Sequence, residues 1–323
     1  MKVKDLNLYN IEPKKGVDNE YPVLSNEFRQ PCLWYIASPR FTGKTYMVSK
    51  FIATAQTKRK HKTYDRIYII TPSFKSNEAY FADYINLEDV YEPTRDSIDK
   101  VLAAVEADKD EWEQFLADKE TYKEFKKQMR DKGNMANVKD DIMLRFDTLG
   151  FLEGKQPRWK YEVEEPPKSL VVMDDILGSK AISGSSNLMK IATLNRHISP
   201  LQQDHTSRGK TRSACGLAVI ILSQSYRLVG GISRTLRENL SLFTVFLNRQ
   251  PKQMEAITEE IGSSVEEAKF TAAYNFAVST PFGSLTTDLK PICERNRFRK
   301  NLNKAIIFGD EICNCEACKN RKK

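Results

Sequence analysis

The sequence predicts an α/β fold, a doubly wound and mainly parallel central sheet with helices on both faces. Three observations predict it. Five short, β-branched apolar runs recur at 32–38, 66–74, 169–177, 216–224 and 240–248, and runs apolar on both faces are strands buried between helix layers. Helical spacing fills the gaps, first with Tyr46, Met47, Phe51 and Ile52, then over 185–196, 232–239 and 251–261. At 323 residues and 40% hydrophobic content, the chain is long enough to bury such a core.

Taken in order, residues 1–30 are polar, contain Pro13 and Pro22 and hold no sustained period, so they read as an N-terminal arm. The main α/β domain spans 31–310. Its rhythm is interrupted over about 80–165, where Ile98, Val101, Leu102 and Val105, then Trp112, Phe115, Leu116, Tyr122, Phe125 and Met129, follow helical spacing in an acidic and basic background. That stretch predicts an inserted helical hairpin, either a cap on the sheet edge or a lever facing a partner. Near the end, 274–289 alternates around Pro281-Phe282-Gly283 and predicts a C-terminal β-hairpin. Residues 311–323 form a cysteine-rich basic tail.

The formal charge of +8 implies an anionic partner, nucleic acid first. No run reaches the ~20 apolar residues of a membrane span, and 1–16 lack the apolar stretch of a signal peptide. Of six cysteines, Cys32 and Cys215 lie in apolar strand-like runs, which fits a soluble protein of a reducing compartment.

The first strand runs into Ser38-Pro39-Arg40-Phe41-Thr42-Gly43-Lys44-Thr45, a Walker-type phosphate loop. Its backbone N–H groups would curl around phosphates, Lys44 would reach the β- and γ-phosphates, Thr45 would ligate Mg²⁺, and Gly43 would let the backbone approach. The loop departs from the pattern at Ser38, where glycine is usual, so the backbone there must suit a residue with a Cβ. A second motif answers it: Asp174 and Asp175 follow the apolar run Leu170–Met173. Two adjacent acids at a buried strand end call for a cation. Asp174 is assigned to Mg²⁺ and Asp175 to the attacking water.

Gln224 ends the 216–224 run, where it either senses a γ-phosphate and orients water or faces solvent. Beyond it stand Arg227, Arg234 and Arg237. An arginine delivered across a subunit boundary would offset phosphoryl charge, with Arg237 the first choice and Arg234 the alternative. In the tail, Cys313, Cys315 and Cys318 have C-x-C-x₂-C spacing and Cys293 completes a four-thiol set. That pattern suits Zn²⁺, and a flexible reactive tail is the other reading.

The series Ser38–Thr45, Leu170–Asp175, Asn195-Arg196-His197, Leu222-Ser223-Gln224 and Arg237-Glu238-Asn239 resembles the FtsK–HerA superfamily of P-loop ATPases, and within it the poxvirus-type genome-packaging ATPases of large DNA viruses and virophages. Asp175 stands where many members have glutamate. The resemblance implies a RecA-like P-loop NTPase core and an ATPase using ATP and Mg²⁺. It also implies a homo-oligomeric ring, hexamer or pentamer, around double-stranded DNA, partnered by capsid or inner-membrane virion proteins in the cytoplasmic virus factory of an infected cell and in the virion. Two other jobs fit the same residues: cellular or mobile-element DNA transfer and segregation, and a nucleotide-gated DNA-binding assembly protein with little turnover.

Overall fold

Alternate residues of the central strands divide between two cores, because successive side chains of a strand point to opposite faces. In β1 (Leu33–Ala37), Trp34 and Ile36 enter one core while Leu33, Tyr35 and Ala37 enter the other. The computed structural model describes residues 17, 19–23, 27–57, 61–132, 138–176, 186–227, 233–309, 313, 315, 318 and 319. Most of the arm over 1–30 and of the tail over 311–323 therefore lies outside the described residues.

After β1 come α1 (Lys44–Thr57), β2 (Arg66–Ile70), α2 (Phe74–Phe81), β3 (Val90–Tyr91), α3 (Ser97–Lys132), α4 (Asp140–Thr148) and β4 (Ser169–Asp174). Then follow α5 (Ser186–Leu194), β5 (Pro200–Ser207), β6 (Lys210–Ala214), β7 (Leu217–Ser223), α6 (Arg234–Glu238) and β8 (Leu242–Phe246). The chain continues through α7 (Pro251–Ile257), a π turn (Thr258–Gly262), α8 (Ser263–Val265), α9 (Glu267–Ala277), β9 (Ser284–Asp288), β10 (Phe298–Lys300) and β11 (Lys304–Ile306). Nine strands form one sheet in the order β11-β10-β9-β8-β1-β7-β4-β2-β3. From β8 to β3 every pairing is parallel, and β9, β10 and β11 add on antiparallel. The architecture is a mostly parallel sheet with helices on both faces, as a RecA-like P-loop core requires.

Helix α1 closes one face with Met47, Val48, Ile52 and Ala55 against Trp34, Ile36, Leu170 and Ile220. The opposite face is covered by Ile98, Val101 and Val105 of α3, Leu188 and Ile191 of α5, and Phe270, Ala273 and Ala277 of α9. Because β1 and β4 are separated by β7, Ala37 pairs with Ser223 and Asp174 with Leu222. Three strand ends thus open side by side at one edge of the sheet.

The helical insertion is uneven. Helix α3 runs for 36 residues, about 54 Å at 1.5 Å per residue, and α4 for 9. The distal part of α3 has its own small core, where Tyr122 and Phe125 meet Phe146 and Phe151. Its middle is tied to the sheet by Asp108, buried and accepting from Lys160 Nζ at 2.7 Å, Tyr161 Oη at 3.0 Å and Arg66 Nη1 at 3.3 Å. Such partners offset the cost of burying a carboxylate.

Two differences from the sequence reading stand out. The β5–β6 hairpin was not expected; it turns at Arg208 and Gly209, whose φ values of 49° and 73° suit a tight hairpin turn. The C-terminal hairpin is also not centred on 274–289, since residues up to Ala277 belong to α9 and only Ser284–Asp288 is strand. Tyr274, Phe276 and Val278 do alternate, but Phe270, Ala273, Tyr274 and Ala277 form a longer helical stripe, and it is the stripe that is buried. The antiparallel C-terminal structure is instead the β9–β10–β11 meander, turning between β10 and β11 at Asn301 and Leu302, both with positive φ.

Helix and strand make opposite forecasts for this segment. Phe270→Ala should cost about 3–5 kcal/mol in urea unfolding, whereas Phe276→Ser, on the exposed side of α9, should cost under about 1 kcal/mol. Equal, large losses from both would contradict the helix.

Candidate nucleotide phosphate site

The chain leaves β1 at Ala37 and enters α1 at Lys44, so the intervening residues cap the positive end of a 14-residue helix. Unpaired N–H groups there favour phosphate. Ser38 is buried and donates its backbone N–H to Ser223 O at 2.9 Å, which ties the loop to β7. Its Oγ contacts Thr42 Oγ1, and Thr42 Oγ1 donates to Pro39 O at 2.9 Å. Among the loop residues, positive φ occurs at Phe41 (62°) and Gly43 (95°) and not at Ser38. The missing first glycine is thus accommodated without left-handed backbone. The strain falls on Phe41, a non-glycine residue in the left-handed region with an almost fully exposed ring.

Strand β4 brings the acids to the loop. Lys44 Nζ lies 2.8 Å from Asp175 Oδ1 and 4.0 Å from Asp174 Oδ1. Thr45 Oγ1 reaches Asp174 Oδ2 at 3.5 Å, the long limit of a hydrogen bond. Gln224, just past β7, donates from Nε2 to Asp175 Oδ2 at 3.1 Å and accepts from Arg40 Nε at 3.1 Å. Arg40, Gln224, Asp175 and Lys44 therefore form one polar chain across three strand ends. Asp175 has a φ of 52°, a conformation that aspartate tolerates better than most side chains and that turns its carboxylate from the strand toward Lys44.

Asp174 is the unbalanced member. Its Oδ1 is buried with no hydrogen-bond donor among the described residues. Burial pushes its carboxyl above the ordinary aspartate value, an effect that Lys44 opposes and Asp175 reinforces. A buried carboxylate oxygen lacking a donor, beside a threonine hydroxyl, is the oxygen-rich setting in which Mg²⁺ or one of its waters is held. Thr45 and Asp174 therefore fit that ion chemically.

Beside the loop opens a cavity of about 360 Å³ lined by Thr42, Gly43, Tyr46, Met47, Phe246 and Phe282. It pairs the phosphate loop with flat aromatic and apolar walls. A Cβ on Gly43 would meet Phe282 Cδ1 at 3.8 Å, an ordinary contact, so the φ of 95° and not crowding calls for glycine. Sequence reading missed this wall because Phe282 lies far along the chain, and its sole linear signal is an aromatic within a Pro-Phe-Gly turn.

The arginines divide. Arg237 Nε donates to Glu260 Oε2 at 2.7 Å, and its guanidinium lies 5.5 Å from the Tyr226 ring centroid. Tyr226 Oη and Arg227 also donate to Glu260. Burial raises the Glu260 carboxyl, but these hydrogen bonds outweigh it and bring it down to about 2. Among the described residues Arg234 pairs across one helical turn with Glu238, and its side chain is 83% exposed. Neither arginine lines the cavity beside the loop. The four tail cysteines do come together, with every Sγ within 4.8 Å of the others, a cluster able to hold a metal. His197 pairs through Nδ1 with Asn19 Nδ2 at 3.1 Å and stands apart from the loop.

Asp174 makes stability depend on pH with a definite sign. A carboxyl raised on folding binds its proton more tightly in the native state, so its contribution declines as pH climbs above the ordinary value of 3.8. Asp174→Asn should therefore raise the melting temperature of the nucleotide-free protein at pH 7, and the gain should close toward pH 4. A lower melting temperature at pH 7 would contradict this.

No family model matches the chain, and no curated protein matches it. Solved structures of similar fold include the genome packaging NTPase B204 from Sulfolobus turreted icosahedral virus 2 in complex with ATP-gammaS, 13% identical, covering 86% of this chain and all (100%) of that one at a TM-score of 0.43. The cytoplasmic domain of the Type VII secretion ATPase EccC of Thermomonospora curvata is 13% identical over 87% of this chain and 26% of its own, at 0.36. The pCW3 conjugation coupling protein TcpA is 14% identical over 69% and 51%, at 0.34. At such values the comparisons carry no argument, and the fold and the site rest on the geometry above.

Proposed function

We propose that this chain is an ATPase that moves double-stranded DNA, working as a homo-oligomeric ring of the poxvirus-type genome-packaging kind. The observation that carries the nucleotide reading is the meeting of Lys44 and Thr45 with Asp174 and Asp175 at the open edge of a parallel sheet. The DNA reading rests on the ordered motif series and the +8 charge, which suits tracking phosphates without reading bases. On the same reading the ring would serve capsid filling in a host-cell virus factory.

The geometry suggests how turnover proceeds. Lys44 Nζ donates to Asp175 Oδ1 at 2.8 Å. Arriving β- and γ-phosphates compete for Lys44, and its transfer to them frees Asp175. Gln224 remains beside the Asp175 carboxylate and orients the water. The water oxygen then bonds to the γ-phosphorus, the bridging P–O bond breaks with its electron pair leaving on ADP, and Asp175 receives the water proton. Thr45 and Asp174 would hold Mg²⁺, which would supply neutralisation of phosphate charge. The nucleotide base would pack on Tyr46 or Phe282, the two aromatic rings beside Gly43 in the cavity at the loop. For the arginine acting in trans we favour Arg234, since Arg237 is engaged within its own subunit by Glu260 and Tyr226.

The Lys44–Asp175 pair also gives a second reading substance. If nucleotide fails to break it, the chain binds ATP, changes its assembly and turns over little.

Phosphate release with and without double-stranded DNA separates the readings. DNA-stimulated hydrolysis is expected in the wild type and background release in Lys44→Ala; tight ATP binding without turnover would favour the assembly protein. Phe282→Ala should raise KM for ATP about fivefold, the value of ~1 kcal/mol of stacking, with kcat nearly unchanged. Arg234→Ala and Lys44→Ala, each inactive alone, should regain partial activity when mixed, because one joint then combines an intact loop with an intact arginine. Full activity of Arg234→Ala alone would remove that residue from the mechanism.

A further inference from the structure

Cys293 lies in the connection between β9 and β10, while Cys313, Cys315 and Cys318 follow β11 near the end of the chain. Their sulfurs meet: Cys293 Sγ is 3.5 Å from Cys313 Sγ and 3.6 Å from Cys318 Sγ, and all four lie within 4.8 Å of one another. Four sulfurs tetrahedrally placed at the ~2.3 Å Zn–S distance stand about 3.8 Å apart. A disulfide needs about 2.05 Å, and one sulfur nearly equidistant from two others does not describe a pair.

The surroundings separate this cluster from an ordinary core. Cys293, Cys313 and Cys318 are buried with Cys315 packed beside them, and among the described residues the cluster holds no aliphatic or aromatic side chain. Backbone amides turn toward the sulfurs, those of Cys315 and Glu294 facing the Cys313 sulfur and that of Arg295 facing Cys293. Cys315 O accepts from the N–H groups of Cys318 and Lys319 at 3.0 and 2.9 Å, a turn that swings Cys318 back beside Cys293. N–H groups aimed at thiolate sulfur are the outer partners that tune a metal–thiolate site.

We propose that Cys293, Cys313, Cys315 and Cys318 bind one structural zinc ion that staples the end of the chain to the β9–β10 connection. Binding forms four Zn–S bonds and releases the thiol protons to solvent, leaving a complex of charge −2. Arg299, close to Cys293, offsets part of that charge. With four protein ligands the coordination is closed, so the site stabilises without reacting. It also holds Lys319, which follows Cys318, at the antiparallel end of the sheet. The metal supplies folding free energy to this join.

The test uses the full-length chain without a metal-binding tag, purified reduced from zinc-supplemented cells, and reads the site whether or not ATP is hydrolysed. One zinc per chain is expected by elemental mass spectrometry. Exchange with Co²⁺ should give the visible ligand-field and charge-transfer bands of a tetrahedral tetrathiolate. Cys318→Ser should weaken zinc binding by about tenfold or more, with early proteolysis confined to the tail. If that variant does not fold, the wild-type cobalt spectrum decides. Zinc well below one per chain, iron in its place, or a disulfide in the intact mass of the reduced protein would each overturn the proposal.

Discussion

Lys44 stands 2.8 Å from one carboxylate and 4.0 Å from its neighbour, and much of the site follows from that unequal sharing. One ammonium cannot fully compensate two acids at the mouth of a buried sheet, so Asp174 keeps a buried oxygen without a donor among the described residues while Asp175 is firmly paired. The deficit is electrostatic and asks for a further cation. On the proposed function the pairing is also a restraint, because the carboxylate assigned to the attacking water is already engaged. The phosphates of the proposed nucleotide would relieve both conditions, since they would attract the lysine and carry a divalent ion of their own.

Strain gathers at the same edge. Phe41 and Asp175 both hold positive φ, and each stands next to a group whose direction matters more than its comfort. Such conformations persist where the surroundings over-determine them. Here the surroundings are the fully buried strands β1, β4 and β7, whose two-sided cores leave the strand ends little room to relax. The rigid sheet and the strained rim belong together.

Farther out, charges are used to hold elements in place. Glu260 gathers Tyr226, Arg227 and Arg237 behind β7, and Asp108 gathers Arg66, Lys160 and Tyr161 to seat α3. These clusters explain why an arginine's place in a motif is a poor guide to its freedom. Arg237 and Arg234 lie three residues apart, yet one is folded onto its own subunit and the other extends into solvent.

The sequence by itself determined the five central strands, the helices between them and the contents of the phosphate loop. Those features depend on local periodicity and on residue types whose chemistry is independent of context. It also brought Asp174 and Asp175 to a strand end, because four apolar residues followed by two acids have few other places to go. Tertiary structure alone decided that β7 would lie between β1 and β4, and so that Gln224 would touch Asp175 across a separation of 49 residues. It placed Phe282 against a loop more than two hundred positions earlier and made helix of a segment that reads as strand over its last few residues. Strand order, burial and long-range pairing are set by competition among all the apolar faces of the chain at once, and no local window contains that competition.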